Sequence, residues 1–469
     1  MRSRENGLKG NNVDSRTQLT GICLLVLFSI LIIGLSLFRG FDKDEFESIK
    51  SSWKIFHGER IYVDFFQHHN PFFYYTLLPV FLIFREGTAV LIVSRLFMLP
   101  FLAGIAYCVF SLTSHLYDRK TAIIALLFLF SLPLFTISAI EVRPDIPQVF
   151  FGLCAMLLFF SFLENRKLSR LTGCGLLLGL SFMFLQKSLW LIIAVFARLL
   201  YGIYKKKLHA AYILPLFFST MAIPLLYSVL LWIRGGWDQY FFLNYLYNSK
   251  GGLPDTAHLK ILYTHVTSFN LIIVWGFLLG LIYRKKTSQQ KEVSRITLFL
   301  AALTLLHGVY FPQYFLLVLS FAVVVSAHGF VLATGSRPLA GILALVISAL
   351  VSVSVYIRQI DEGNREQLRR VEYVRRATPE EGYVHDGDNQ FNLFRKDLDY
   401  FWYSISPGMC LDRYRKMRPY DYDIYALIEL YHPFVISETG IDSMNDPRIE
   451  GYYEKPDSLD GLYIRKAGK

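Results

Sequence analysis

Several short polar stretches of this chain carry residues able to do chemistry, and most of them sit at the ends of apolar runs. Asp42, Asp44 and Glu45 follow the run Leu19 to Phe38. Further along come Gln67-His68-His69-Asn70-Pro71, Glu141-Val142-Arg143-Pro144-Asp145, Gln186-Lys187-Ser188, and His307 to Gln313 followed by Tyr314. A carboxylate can take a proton from a hydroxyl, and cations or hydrogen-bond donors can hold negative charge as it forms on a leaving group. Ionisable groups at the ends of membrane spans are costly to keep there and often mark a binding site or pathway. Plainer roles stand beside these. Asp44 and Glu45 can cap a helix and complement its dipole. Asp145 can do the same ahead of Pro147, with Arg143 simply paired to it. Lys187 can snorkel, and His68 and His69 can serve the interface structurally.

The elements that must position these groups belong to a membrane. Of 469 residues, 54% are hydrophobic and only 18% charged, too apolar for an ordinary soluble protein. The apolar runs are Leu19–Phe38, Thr88–Leu112, Thr121–Ile140, Ile146–Leu163, Leu171–Phe184, Leu189–Tyr204, Ala211–Ile233, Val266–Tyr283, Ile296–His307, Tyr314–Val331 and Leu339–Tyr356. Together they predict an α-helical polytopic protein of about eleven transmembrane helices. Basic residues in 1–18 place that segment in the cytoplasm, ahead of an uncleaved first span. Phe72 to Phe84, at roughly 13 residues, is short for a crossing and suits a helix lying in the interface. With that helix flat, the basic clusters around Arg119, Arg166, Lys205–Lys207, Arg284–Lys286 and Arg337 fall in the cytoplasm. The polar stretches then share the opposite face. Arg95, inside a span, is expected to face protein rather than lipid.

Between the spans, Phe46, Ile49, Trp53 and Phe56 recur at helical spacing from Glu45 until Gly58 stops the helix. Residues 19–357 therefore read as the transmembrane domain, with an external loop 39–87 that carries the acids. Residues 358–469 read as a small α/β domain, with a helix over Asp361–Arg376 and strands near Tyr383–His385, Phe434–Ser437 and Leu462–Ile464. An odd number of spans puts it outside the cytoplasm, where it covers the cavity or selects an acceptor. The net charge of +11 lies in clusters between apolar runs, with no basic stripe or recognition motif for nucleic acid. Five cysteines show neither a disulfide framework nor zinc spacing. His68 and His69 are adjacent, whereas a helical ligand pair sits four apart; Asp44 with Asp145 is the pair able to hold a divalent cation.

The order of these residues resembles the polytopic GT-C glycosyltransferases, in particular the protein O-mannosyltransferase and lipid A aminoarabinose transferase group (glycosyltransferase family 39). The resemblance rests on Asp44-Glu45 heading an external helix, His69-Asn70-Pro71-Phe72 before an interfacial helix, Arg95 early in the next span, and Arg143-Pro144-Asp145. It implies transfer of a sugar from a polyprenyl-phosphate donor to a lipid, glycan or protein acceptor outside the cytoplasm, in a bacterial inner membrane. It also implies Asp44 as general base with Glu45 beside it, and Asp145 orienting acceptor or metal. His68, His69, Arg143, Lys187, Gln313 and Tyr314 would bind substrate. Two positions depart from the family: His69 and Asn70 stand where it has Lys and Pro, and Gln313 stands where relatives often carry a basic residue. A transporter or flippase of lipid-linked sugar is the alternative. It predicts charged or helix-breaking positions in mid-span and a repeat between halves, and neither is evident. A structural or sensory membrane protein is a third reading.

Overall fold

The structure, a computed structural model, describes residues 2–249, 256–306, 311–439, 441, 446–456 and 461–466, with the backbone alone for 2–17 and most of 256–269. Residues 250–255 and residues 307–310 of the His307–Gln313 stretch therefore lie outside the described residues.

A long helix, α1 (Arg2–Phe38), leads directly to the acids and to α2 (Lys43–Phe56). Asp42 is the cap of α2: its side chain accepts from the Asp44 amide at 3.0 Å, and Glu45 reaches back to the Asp42 amide at 2.9 Å. This is a reciprocal capping box. It leaves Asp44 at the helix head without the capping duty. Two short helices follow, α3 (Phe72–Thr76) and α4 (Leu78–Phe84), then α5 (Thr88–Leu116), α6 (Arg119–Phe130), α7 (Pro133–Ile140) and α8 (Asp145–Asn165). The bundle continues through α9 (Leu168–Phe184), α10 (Ser188–Tyr204), α11 (Ile213–Ile233), α12 (Trp237–Phe241), a π-helical turn (Phe242–Tyr247), α13 (Thr256–Ile282), α14 (Ser288–Leu305), a 3-10 turn (Pro312–Phe315), α15 (Leu316–Thr334) and α16 (Pro338–Glu362).

Among the described residues, 6 helices are long and apolar enough to cross a membrane, or 7 if α6 and α7, bent by 73°, form one span. This corrects the expectation of about eleven. The reason is length. α9 and α10 have 17 residues each, and the apolar part of α13 runs only from Asn270 to Ile282; at 1.5 Å per residue a 17-residue helix reaches about 25 Å, short of a ~30 Å hydrocarbon core. The part Ile296–Leu305 of the run Ile296–His307 lies in α14, whose first half carries Lys291, Glu292 and Arg295. With the count goes the parity rule that assigned a side to residues 358–469.

The short helices lean on long ones. In α9, a side chain at Gly175 or Gly179 would strike the backbone carbonyls of Leu216 and Thr220 in α11. In α13, Gly276 and Gly280 lie against Ser326 and Val325 of α15, and Gly329 of α15 returns the contact. Both pairs read small-xxx-small, the spacing that lets helix backbones meet in lipid. At the α6–α7 break, carbonyls lose their helical partners in an apolar setting, which must be repaired. Tyr356 Oη donates to Phe130 O and Ser352 Oγ to Ser131 O, both at 2.6 Å from α16.

After α16, α17 (Arg365–Ala377) leads into a four-stranded sheet of β1 (Val384–His385), β2 (Val435–Ser437), β3 (Tyr453–Glu454) and β4 (Leu462–Arg465), with α18 (Cys410–Arg415) and α19 (Ile424–Tyr431) between β1 and β2. The strand order is β1-β2-β4-β3, with β1 parallel to β2 and the other pairs antiparallel. This small α/β extension shares a core with α2: Phe46, Ile49, Trp53 and Phe66 are buried in one cluster with Val371, Val384, Phe401 and Trp402. Trp402 donates its indole N–H to Phe66 O at 3.0 Å, and Phe66 N donates to Tyr400 O at 2.9 Å. The extension and the loop 39–87 therefore lie on one face of the bundle.

Candidate active site

Four elements bring ionised side chains to one place on that face. Asp44 comes from the first turn of α2, Arg143 from the turn joining α7 to α8, Asp145 from the head of α8, and Lys187 from the residue before α10. Arg143 is the hub. One terminal nitrogen contacts Asp44, the other lies 3.3 Å from Asp42 and 3.4 Å from Glu141, and Nε is 3.9 Å from Asp145. Lys187 Nζ closes on Asp145 at 2.8 Å and sits 3.5 Å from the centroid of the Tyr314 ring, a cation–π contact. Lys187, Gln313 and Tyr314 line a cleft enclosing about 410 Å³, part of it open to solvent, whose other wall is apolar through Trp190, Leu300, Leu317 and Val318. Gln148, one turn beyond Asp145 on α8, lines it too.

Glu45 does different work. It has no exposed surface and receives two bonds from the equally buried Arg95, at 2.7 and 2.6 Å, and one from the Val142 amide at 3.1 Å. Arg95 spends its remaining donors on Arg39 O and Gly40 O, at 2.5 and 2.7 Å, and lies over the Phe41 ring. Burial works against the Glu45 charge, but the Arg95 guanidinium holds its carboxyl below the ordinary range. Such a residue fixes α2 in place, turned away from the cleft. Asp44, by contrast, keeps half of its side chain accessible. The protein packed around its other half raises its carboxyl above the usual range, helped by the Asp42 and Asp145 charges and opposed by Arg143.

Burial disfavours the charged form of both His68 and His69. Burial, reinforced by the charges of Lys187 and Arg143, pushes His69 down to about 3, and burial lowers His68 as well. His68 turns to the C-terminal extension, with Nδ1 3.0 Å from Tyr403 Oη. Burial thus disfavours positive charge on either ring, and Arg143 and Lys187 are the cations of the cluster. Asp44 and Asp145 both face the Arg143 guanidinium, Asp44 in direct contact and Asp145 3.9 Å from Nε. Among the described residues no three His, Cys, Asp or Glu side chains gather with metal-binding spacing.

Sequence reasoning gave no role of their own to three groups. Glu141 pairs with Arg39 at 3.0 Å, and burial pushes its carboxyl up to about 7. Glu47 accepts from Gln67 at 2.7 Å, and burial followed by the Asp44 charge pushes it up to about 8. Gln148 is the third. The signal for two of them was periodicity: Glu47 and Gln148 each stand three residues after a singled-out acid, hence on its helical face.

Comparison with known proteins agrees with this arrangement at the level of fold. The family model described as dolichyl-phosphate-mannose-protein mannosyltransferase matches residues 68–232. Comparison with curated proteins yields no match. Among solved structures, ArnT from Cupriavidus metallidurans bound to undecaprenyl phosphate aligns with a TM-score of 0.65 at 12% identity, covering 95% of this chain and 98% of that one. The apo oligosaccharyltransferase of Archaeoglobus fulgidus aligns with a TM-score of 0.58 at 12% identity, covering 89% of this chain and 69% of that one. The chain is thus a multi-pass integral membrane protein that shares its fold with ArnT and with the archaeal oligosaccharyltransferase.

Proposed function

We propose that the protein is a membrane glycosyltransferase that moves a sugar from a polyprenyl-phosphate donor to a hydroxyl of a lipid, glycan or protein acceptor on the extracytoplasmic face. The observation that supports this reading is the ion-pair cluster of Asp44, Arg143, Asp145 and Lys187, whose Lys187 also lines a cleft with an apolar wall. The prenyl chain lies along that wall and its phosphate meets Lys187 and Arg143. Asp44 takes the proton of the acceptor hydroxyl as its oxygen bonds to the anomeric carbon. The bond from that carbon to the phosphate oxygen breaks, and the oxygen keeps the electron pair. The two cations stabilise the charge that grows there. Asp145 orients Lys187, and Gln313 and Tyr314 border the same space. The fold of ArnT, solved with undecaprenyl phosphate, supports a polyprenyl carrier.

The test is transfer of radiolabelled sugar from a panel of polyprenyl-phosphate sugars by the purified protein in lipid nanodiscs, with hydroxyl acceptors drawn from the membrane. Absence of transfer and of donor binding across the panel would end the proposal. The charge of Lys187 adds a pH signature. Burial, with Asp145 opposing it, pushes its ammonium down to about 8. A positive charge present below that value is lost as pH rises through it, so donor affinity is expected to fall between pH 7 and pH 9. Lys187→Gln should weaken donor binding about tenfold, the worth of one charge-assisted hydrogen bond, and flatten the pH dependence. Unchanged affinity would take Lys187 out of the phosphate site.

A further inference from the structure

Two lysines one turn apart on α2, Lys50 and Lys54, are buried at 0% and 4% exposure. A buried ammonium is costly unless paired. Both are met by one carboxylate from the C-terminal extension: Asp397 Oδ1 lies 3.3 Å from Lys50 Nζ and Oδ2 lies 2.9 Å from Lys54 Nζ. Asn392 Nδ2 donates to the same Oδ1 at 3.0 Å, so the carboxylate is itself held. Lys50 also donates to Arg395 O, and Lys54 pairs with Glu59 at 3.1 Å. Glu86 closes the frame, accepting from Trp53 Nε1 of α2 at 3.3 Å and pairing with Arg395 at 3.0 Å.

The geometry of the helix gives this frame a purpose. At about 100° per residue, Lys50 and Lys54 project roughly 120° and 80° round the helix axis from Asp44. The first turn of α2 is tied to the membrane bundle through Glu45 and Arg95. Its second half is tied to the extension through Asp397. We propose that Asp397 is a positioning residue: by bridging Lys50 and Lys54 it sets the rotation and tilt of α2, and through them the placement of the Asp44 carboxylate against Arg143. The extension thereby belongs to the machinery of the site without contributing a group that meets substrate. This inference rests on the reading of Asp44 as the base; its first readout does not.

That first readout is hydrogen exchange. In Asp397→Asn, the amides of Ser48 to Phe56 should exchange faster, while those of α8 and α5 stay at wild-type rates. The second is kinetic: kcat should fall about 10-fold to 100-fold, the scale of a misplaced catalytic group, with donor KM unchanged because the phosphate is held by the bundle. Asp397→Glu should recover part of the loss, and the surface variant Lys396→Gln should match wild type. Because a lone unpaired lysine can unfold the region, a triple variant, Lys50→Met, Lys54→Met and Asp397→Leu, replaces the ions by apolar packing, a change that buried ion pairs often tolerate. It should fold and bind donor with kcat still reduced. Full activity of the folded triple variant overturns the proposal. So does unchanged exchange in Asp397→Asn, or a loss of donor binding in parallel with kcat. If wild type transfers no sugar, the functional reading fails while the exchange experiment still decides whether Asp397 positions α2.

Discussion

Asp44→Asn is expected to lower sugar transfer by about 10²-fold to 10⁴-fold, the usual contribution of a general base, and to leave donor binding near wild type. The substitution keeps the size of the side chain and much of its hydrogen bonding to Arg143. It removes the capacity to take a proton. A capping role predicts the opposite, because Asn caps a helix nearly as well as Asp. The structure also gives that role to Asp42, whose carboxylate accepts from the Asp44 amide at 3.0 Å. Asp42→Asn is therefore the matched control, expected to retain most transfer. Near-normal transfer by Asp44→Asn, measured beside donor binding on the same preparation, would remove the base assignment. A larger loss in the Asp42 variant would move it two residues upstream.

Arg95→Met is expected to destabilise the protein by about 3–5 kcal/mol, the cost of leaving a buried charge without its partner. Glu45 would lose two hydrogen bonds, and the carbonyls of Arg39 and Gly40 would lose their donors in the same change. Thermal unfolding in detergent should show the loss directly. Glu45→Gln in the same background should return part of it by removing the orphaned charge. The pair also has a pH sign. Arg95 holds the Glu45 carboxyl below its ordinary range despite burial, so its stabilisation is present at neutral pH and disappears as pH falls through the carboxylate range. An unfolding temperature for Arg95→Met equal to wild type would show that the pair does not hold α2 to the bundle.

Much of the local structure was legible in the residues. Phe46, Ile49, Trp53 and Phe56 give a helix ending before Gly58, and α2 ends at Phe56. Three of the four strands fall within about a residue of their β-branched and aromatic runs, while β3 (Tyr453–Glu454) was not foreseen. The number of spans was not legible, because an apolar run records burial without saying whether lipid or protein does the burying. α9 buries or half-buries most of its apolar residues against other helices, whereas α13 meets α15 along its glycine face while Leu271, Trp275 and Ile282 stay exposed. Their glycines, at four-residue spacing, carried that message. In the site, Asp44, Arg143, Asp145 and Lys187 were readable as ionisable groups beside apolar segments. Their partners were not. Glu45 finds Arg95 fifty residues away and Lys50 finds Asp397 far beyond that, and no local pattern announces a long-range ion pair. Lys50 and Lys54 look like the wet face of α2 until the extension covers them.

The glycine contacts between α9 and α11, and between α13 and α15, bear on how the protein is made. A helix too short or too bent to hold its own place in the bilayer is translated before the long helix it leans on. Its final seat does not exist until that partner arrives. Assembly of these elements is therefore expected to finish only once α11 and α15 have been made, although α9 already packs on α8, which precedes it. Errors at Gly179 or Gly280 would then be paid during synthesis. Bulky substitutions there are expected to reduce the amount of protein that reaches the membrane, as read by quantitative blotting, while molecules that do assemble keep an intact cluster around Arg143.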